Sequence, residues 1–480
     1  MFSLLSYVEA LRAGALGQPY AVTRSLLGTD TGRDLERAGY FSEQHAPIGH
    51  EGESRFGLVR ALTPDVTFVH ALLGDSAGNV VVSAPSSEGF WAANGARSGV
   101  IVTVERLVST AELRQFKDAM PIARQKVLAV CEAPGGAHPQ PLYADPRFGT
   151  PGYEDDFEHY ELWRRLATDD TLFARFERFV LDAEDGEAGY AAFKRAVSDG
   201  EFRAKRRATT LAVTEAPPPA VREGFDEHQE SLFVCAARAI CQKVKARGYR
   251  TIIAGIGGSF YAARLAKTWL AREQITVDVI VETGLIGVPC GAEGHDFLLS
   301  HRNMALSERL SDVADALGVL CAPHQRCLGV IGAAQVDESG AINSTLSPSG
   351  QFLVGSGGAN DICASCAEVI VSVRCDRERL VERVAYVTSA GNRVTEVVTD
   401  LGTFSRESAN AAWSLSSVVP LSSEQSAADA ARKVLELCPW KCASGAPSAR
   451  PLSVEERRDL AAIFRAPRTP SASSTKGTEA

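Results

Sequence analysis

The chain contains the stretch Val277-Asp278-Val279-Ile280-Val281-Glu282, followed by Thr283-Gly284-Leu285-Ile286-Gly287-Val288-Pro289. The first part is short and almost entirely apolar, which is typical of a buried β-strand, and the second is typical of a turn. Glu282 is therefore expected at the carboxyl end of a strand. Open α/β sheets bind their ligands at that end, so this carboxylate is a candidate base, ligand or nucleophile.

The residues before this strand complete a parallel crossover unit. They predict an amphipathic helix over residues 229–246, a strand over Tyr249–Ala254, the loop Gly255-Ile256-Gly257-Gly258, and a helix over about residues 260–273. The first half alternates in the same way, with strands predicted at Val100–Val104 and Ala123–Cys131 and a helix at Ser109–Asp118. The sequence thus predicts an α/β fold of two related open α/β domains, with mostly parallel sheets and flanking helices.

The chain divides near its middle. Three prolines, Pro217 to Pro219, cannot continue a helix or a central strand, so residues 215–224 are predicted to be a linker. Domains are expected at residues 1–214 and 225–465, and the Ser/Thr/Pro-rich residues 466–480 are expected to be a disordered tail. Both halves contain an apolar strand followed by Asp-x-x-Gly, at Asp75 and at Asp337, which predicts the same tight turn twice.

Composition excludes several classes of function. The 480 residues carry a net charge of −9, which argues against a nucleic-acid-binding or anionic-membrane surface. The chain contains no run of 18 apolar residues, and its first ten residues lack the pattern of a signal peptide, so a cytoplasmic enzyme is expected.

Eleven cysteines are present, most of them in apolar segments. Three local pairs have spacings that resemble metal ligands: Cys321 with Cys327, Cys363 with Cys366, and Cys438 with Cys442. A structural zinc site needs paired clusters at a fixed separation, and these pairs differ in type and lie far apart in sequence. Unpaired reduced thiols, and no metal, are therefore expected.

Two glycine-rich loops follow predicted strands. Gly355-Ser356-Gly357-Gly358-Ala359-Asn360-Asp361 offers several backbone N–H donors, which suit an oxyanion or a phosphate. The loop Gly255–Gly258 is neither a dinucleotide fingerprint nor a P-loop, so it is either an anion site or a tight turn. In the first half, Glu105 ends a strand and His138 follows a Gly-Gly pair; each is a possible secondary site residue or a structural one. Neither a Gly-x-Ser-x-Gly elbow nor a His-Glu-x-x-His motif occurs.

These segments together resemble family I coenzyme A transferases, with glutaconate CoA-transferase as the nearest type. The β-subunit-like motifs are Val281–Gly287, Gly332–Asp337, Gly355–Asp361 and Val397–Phe404, and the α-subunit-like stretches are Leu16–Pro19, Thr23–Asp30, His70–Asn79, Ile101–Glu105 and Gly136–Pro139. The resemblance covers about residues 10 to 410 and implies α and β subunits fused in one chain. It begins late, so the α-like half is expected to be shortened at its start.

The resemblance implies a mechanism. Glu282 is the expected nucleophile, which attacks an acyl-CoA and becomes a glutamyl-CoA thioester before an incoming carboxylate reverses the steps. Gly357, Gly358 and Ala359 are expected to form the oxyanion loop, and Gly255, Gly257, Gly258, Gly355, Ser356 and Asn360 to bind substrate or CoA. Coenzyme A is then a substrate with a transient covalent adduct. The expected partners are an acyl-CoA and a carboxylic acid, and the chain is expected to form a homo-oligomer.

Two alternatives stay open. The first is a related hydrolase or carbon–carbon cleaving enzyme that acts on an acyl-CoA through Glu105. The second is a non-catalytic acyl-CoA-binding protein.

Overall fold

In the computed structural model, residues 1–45, 55–85, 87–153, 155–184, 225–291, 300–422, 424–443, 445 and 447–463 are described, with short pieces at 188–189, 192–193 and 208–209. The expected linker (215–224) and tail (466–480) lie outside the described residues, so the domain boundaries stay predictions. Among the described helices, none is both long and apolar enough to cross a bilayer.

The α-helices of the described residues are α1 (Leu4–Ala15), α2 (Asp30–Arg37), α3 (Ser87–Gly95), α4 (Thr110–Leu113), α5 (Phe157–Leu166), α6 (Asp170–Phe176), α7 (Glu227–Arg247), α8 (Gly258–Arg272), α9 (His301–Leu306), α10 (Ala359–Ser365), α11 (Ala427–Leu437) and α12 (Val454–Ala462). Short 3₁₀ or π turns lie at Arg114–Ala119, Arg124–Lys126, Pro146–Phe148, Glu177–Leu181, Ala314–Leu320 and Pro323–Gln325.

The strands are β1 (Tyr20–Thr23), β2 (Phe41–His45), β3 (Arg55–Arg60), β4 (Val66–Gly74), β5 (Val80–Val81), β6 (Gly99–Leu107), β7 (Val127–Glu132), β8 (Gly152–Tyr153), β9 (Ala208–Thr209), β10 (Thr251–Ala254), β11 (Asp278–Ile280), β12 (Leu285–Ile286), β13 (Arg309–Leu310), β14 (Cys327–Gly332), β15 (Gln335–Asp337), β16 (Ile342–Asn343), β17 (Glu368–Ser372), β18 (Leu380–Val381), β19 (Val394–Val398), β20 (Gly402–Ser405), β21 (Trp413–Val418), β22 (Cys442–Ala443) and β23 (Ser448–Ala449).

The second half is built on one large mixed sheet. Its order is β13-β12-β11-β10-β14-β17-β19-β20-β21-β22, and β23 also pairs with β21. The central strands β11, β10, β14, β17 and β19 are parallel to one another, whereas β12, β13, β20 and β21 are added antiparallel. The parallel centre brings the carboxyl ends of five strands to one edge of the sheet, which is where the expected nucleophile follows β11.

Local sequence explains the helix that covers this sheet. Helix α7 begins with a capping box in which the side chains of Asp226 and Gln229 satisfy each other's backbone N–H groups, and it ends at Gly248, whose φ is +65°. The predicted strand–loop–helix–strand unit is confirmed, with α8 directly after the Gly255–Gly258 loop and β10 parallel to β11.

The first half has a smaller sheet of order β5-β4-β6-β7, in which β4, β6 and β7 are parallel, and a separate antiparallel sheet of order β1-β3-β2. The two predicted Asp-x-x-Gly turns are confirmed, since Gly78 has φ +85° and Gly340 has φ +84°. In each turn the aspartate accepts bonds from the backbone two and four residues later.

Helix α1 belongs by sequence to the first half but packs into the second. Leu5 and Val8 lie in the same buried cluster as Val313, Leu317 and Ile331. The serine that precedes the helix, Ser3, caps it by accepting the N–H of Ser6. The two halves therefore share one core.

Candidate active site

Glu282 lies two residues beyond the end of β11, at the carboxyl edge of the parallel strands. A tight turn follows, closed by a hydrogen bond from the N–H of Gly284 to the carbonyl of Val281. Gly284 has φ +97°, and a Cβ there would lie 2.5 Å from the backbone nitrogen of Asp312. This turn admits only glycine, and it fixes where the glutamate side chain starts.

The glycine loop at residues 355–358 contacts the Glu282 carboxylate, as the sequence predicted. The N–H of Gly358 donates to Glu282 Oε2 at 2.8 Å. A Cβ on Gly358 would lie 2.4 Å from the same oxygen, and a Cβ on Gly357 would lie 3.6 Å from Oε1. Glycine at 358 is thus required by the close approach of backbone to carboxylate.

The surroundings of Glu282 raise its pKa. Burial is the largest cause, the hydrogen bond from Gly358 opposes it, and the negative charge of Asp361 adds to it. A more basic carboxylate is a better nucleophile, provided that the pH is high enough to keep it ionised.

A cavity of about 440 Å³ lies between the halves next to this carboxylate. Its wall includes Phe68, His70 and Tyr143 from the first half, and Thr283 and Met304 from the second. Thr283 directly follows the glutamate, and its Oγ1 is buried without a hydrogen-bond partner among the described residues. The cavity therefore offers an unsatisfied polar atom one residue from the carboxylate.

Glu105 is held in a network rather than presented to the cavity. Its Oε1 is 2.8 Å from His70 Nε2 and 3.1 Å from the Tyr153 hydroxyl, and the Gly135 N–H donates to both carboxylate oxygens at 2.9 Å. Burial alone would raise the pKa of Glu105, but these donors outweigh it and hold the pKa below its usual value. A carboxylate in this state is a weak base.

His138 has a different partner. Its Nε2 lies 2.8 Å from Asp156 Oδ2, and its ring meets that of His159 edge-on, with centroids 4.6 Å apart. Ligand atoms of these three residues lie within 4.8 Å of one another, which is a spacing compatible with a metal. The hydrogen bonds of the described residues do not connect His138 to Glu282.

The Gly255–Gly258 loop faces another cavity, of about 310 Å³, which is lined by Gly258, Ser259, Ser372, Arg374 and others. A Cβ on Gly258 would meet the ring of Phe233 at 2.5 Å, so this glycine permits close packing of α8 on α7. The hydrogen bonds of the described residues do not bring the loop to Glu282. Its assignment to CoA binding stays a prediction.

The other loop residues have structural contacts. Asn360 accepts the N–H of Leu26 at 2.8 Å and donates to the carbonyl of Thr388 at 2.8 Å. Ser356 is buried and donates to the carbonyl of Gly357, and a Cβ on Gly355 would lie 3.2 Å from the sulfur of Met1. Ala359 begins α10. Asn360 thus joins the first half to the loop-bearing helix.

Sequence reasoning missed two groupings. Asp361 was interpreted as a helix cap, yet it is fully buried and bonded to the start of the chain. Cys321, Cys327 and Cys366, drawn from two of the predicted pairs, lie with their sulfurs within 4.8 Å of one another. Only the fold brings these thiols together, so local spacing contained no signal for them. All eleven cysteines are free thiols, as expected.

Comparison with known proteins agrees with this geometry. Residues 324–424, which include the glycine loop, match the model of the coenzyme A transferase family. One of the two polypeptides of the 3-oxoadipate CoA-transferase of Pseudomonas knackmussii is 28% identical over 190 residues, which are 39% of this chain and 60% of that protein. This chain belongs to the coenzyme A transferase family.

A second relative of this family member is an uncharacterized protein of Archaeoglobus fulgidus, 30% identical over 179 residues, which are 36% of each chain. The chain spans less than two thirds of the length of either relative. Among solved structures, the acyl-CoA transferase YdiF of Escherichia coli O157:H7 superposes as apoenzyme with a TM-score of 0.60 at 15% identity, over 96% of this chain and 76% of that one. Its thioester complex with CoA gives 0.57 at 15% identity, over 93% and 73%. At this identity the likeness shows a shared fold.

Proposed function

We propose that this member of the family is a family I transferase, which moves CoA between an acyl-CoA and a free carboxylic acid through a glutamyl-CoA thioester on Glu282. The observation that supports this most directly is the 2.8 Å hydrogen bond from Gly358 N–H to Glu282 Oε2, made possible by the absence of a side chain at 358. A nucleophile and an oxyanion donor are thereby already paired.

The two oxygens of Glu282 divide the work. Oε1 attacks the thioester carbon, and the carbon–sulfur bond breaks to release CoA thiolate and leave a mixed anhydride. The thiolate then attacks Cδ of Glu282, and the substrate leaves as a carboxylate. Throughout, Oε2 stays on Gly358 N–H, which stabilises the negative charge that this oxygen gains when the thiolate adds. One such donor contributes about 3 kcal/mol to the barrier. An incoming acid reverses the sequence.

A hydrolase or carbon–carbon cleaving enzyme that works through Glu105 is the second candidate. The three donors on Glu105, together with its lowered pKa, favour a structural role for that residue. Glu282 has the opposite properties, namely a raised pKa and a single donor from the glycine loop. This contrast favours the transferase.

The organisation of the molecule follows from the same proposal. Residues 1–214 and 225–465 correspond to α-like and β-like domains of a glutaconate-type enzyme joined at 215–224, and the chain works as a cytoplasmic homo-oligomer on an acyl-CoA and a carboxylic acid. The cavity between the halves supports this, since both contribute to its wall.

Trapping tests the function. The enzyme is incubated with a panel of acyl-CoA donors, treated with hydroxylamine or borohydride, and digested for mass spectrometry, with Glu282→Gln and Glu105→Gln in parallel. We expect a modified Glu282 in the wild type and in Glu105→Gln, and none in Glu282→Gln. Release of free acid and CoA without an adduct would support the hydrolase, and binding of CoA esters without turnover would support the non-catalytic alternative.

A further inference from the structure

Asp361 lies in α10, three residues after the glycine that holds Glu282, and its side chain is completely buried. Its Oδ1 accepts the hydroxyls of Ser3 at 2.6 Å and of Ser25 at 2.5 Å, and its Oδ2 accepts the N–H of Leu5 at 3.0 Å. One carboxylate thus gathers three donors from the first 25 residues of the chain.

The same segment also contacts the catalytic loop itself. The N–H of Leu4 donates to the carbonyl of Gly357 at 3.0 Å, so the peptide that carries the N–H of Gly358 is fixed from its other side. Asn360 adds a bond from the N–H of Leu26, whose φ of +73° is unusual for leucine. The loop in the second half is therefore bound at consecutive points by the first half.

We propose that Asp361 is a positioning residue for the transfer reaction: it fastens the start of the chain to α10 so that the N–H of Gly358 stays aimed at Glu282, and it sets the electrostatic environment of that glutamate. This inference rests on the function proposed above, in which Glu282 is the nucleophile.

The charge of Asp361 has a second effect, which a purely structural tie would lack. A buried carboxylate is costly, and a neutral group can accept hydrogen bonds from two serines. The Asp361 charge contributes to raising the pKa of Glu282, after burial. Burial likewise raises the pKa of Asp361 itself to about 6, against the three donors. The other titratable groups facing it are Glu9 from α1 and the thiols of Cys321 and Cys363.

Three single variants separate the tie from the charge. Asp361→Asn removes the charge and replaces one acceptor by a donor, whereas Ser3→Ala and Ser25→Ala each remove one hydroxyl and keep the carboxylate. Ser231→Ala is the matched control, because this serine is also buried and hydrogen-bonded, to the carbonyl of Asp400 on another part of the sheet. Each is assayed for kcat, KM and the pH dependence of kcat/KM, and amide hydrogen exchange is measured over residues 355–362.

At pH 8 we expect kcat to fall about ten- to hundredfold in Asp361→Asn and less in the serine variants, because the oxyanion donor is displaced rather than removed, with KM changed less than about threefold. Hydrogen exchange over residues 355–362 should rise in all three. In Asp361→Asn the acidic limb of the pH profile should also move to lower pH, since the neighbouring negative charge is gone. Ser231→Ala should resemble the wild type.

The proposal is overturned if folded Asp361→Asn keeps its kcat and acidic limb while only its melting temperature falls. If that variant does not fold, an unchanged kcat in both serine variants overturns it. The same samples are trapped as described above. An adduct on Glu282 in the wild type together with unaffected variants refutes only the role of Asp361, whereas a missing adduct refutes the transferase itself.

Discussion

Replacing Gly358 by alanine isolates the contact between the loop and the nucleophile. Gly358 has φ −87° and ψ 0°, which alanine tolerates, so the substitution brings little backbone strain. The new Cβ would lie 2.4 Å from Glu282 Oε2, although a carbon–oxygen contact needs roughly 3.2 Å. The carboxylate must then withdraw by about 0.8 Å, which stretches the 2.8 Å hydrogen bond beyond useful length.

Loss of one such donor lowers kcat by about 10²- to 10³-fold, or about 3–4 kcal/mol in the barrier. Gly357→Ala is the contrasting variant. Its φ of +50° strains any side chain by about 1–2 kcal/mol, but its Cβ would keep an ordinary distance of 3.6 Å from Oε1. We therefore expect Gly358→Ala to lose more activity, and Gly357→Ala to lose more free energy of unfolding.

Both variants are measured for exchange of labelled carboxylate into acyl-CoA and for thermal and urea unfolding. A Gly358→Ala enzyme that retains kcat within about threefold of the wild type would refute the role of this contact. Losses of activity in proportion to losses of stability in the two variants would refute it as well.

Further predictions concern ionisation, the nucleophile and metals. Glu282→Gln should keep the fold by circular dichroism and abolish exchange, and exchange above background would refute the assignment. The kcat/KM of the wild type should fall as the pH drops through the raised pKa of Glu282, above the ordinary 4.5, and a limb at or below that value would contradict the burial argument. Glu9 has its pKa raised to about 7, mainly by burial, so the native state binds its proton more tightly than the unfolded chain does and this group lowers stability as the pH rises from 4.5 to 7. Glu9→Gln should accordingly raise the free energy of unfolding at pH 8 by about 1–3 kcal/mol and have little effect at pH 4, and an equal change at both pH values would exclude the linkage. Exchange activity should survive EDTA, and loss of activity that zinc restores would point to the thiols of Cys321, Cys327 and Cys366 as a metal site.

The sequence was most informative where chemistry is encoded in consecutive residues. The apolar strand and the turn after Glu282, the capped helix at residues 227–247 and both Asp-x-x-Gly turns were predictable, because their causes lie within a few residues. The 76-residue separation of Gly358 from Glu282 was bridged by family resemblance, since no local pattern reports which loop lies beside which strand end.

Contacts set by the packing of distant segments were not predictable. Asp361 looks like an ordinary polar residue at a helix start, and only the fold shows that its partners are Ser3 and Ser25. The structure likewise resolves the open role of Glu105 toward a network with His70 and Tyr153, which lie 35 residues before it and 48 after it.

The placement of α1 has a consequence for dissecting the protein. Because Leu5 and Val8 fill the interior formed around Val313, Leu317 and Ile331, a fragment comprising residues 225–463 would leave a hydrophobic slot open to water. Each of the two missing side chains deprives that fragment of about 1.5–3 kcal/mol of burial free energy. Such a fragment should aggregate when produced alone and become well behaved when a peptide spanning residues 1–15 is supplied with it.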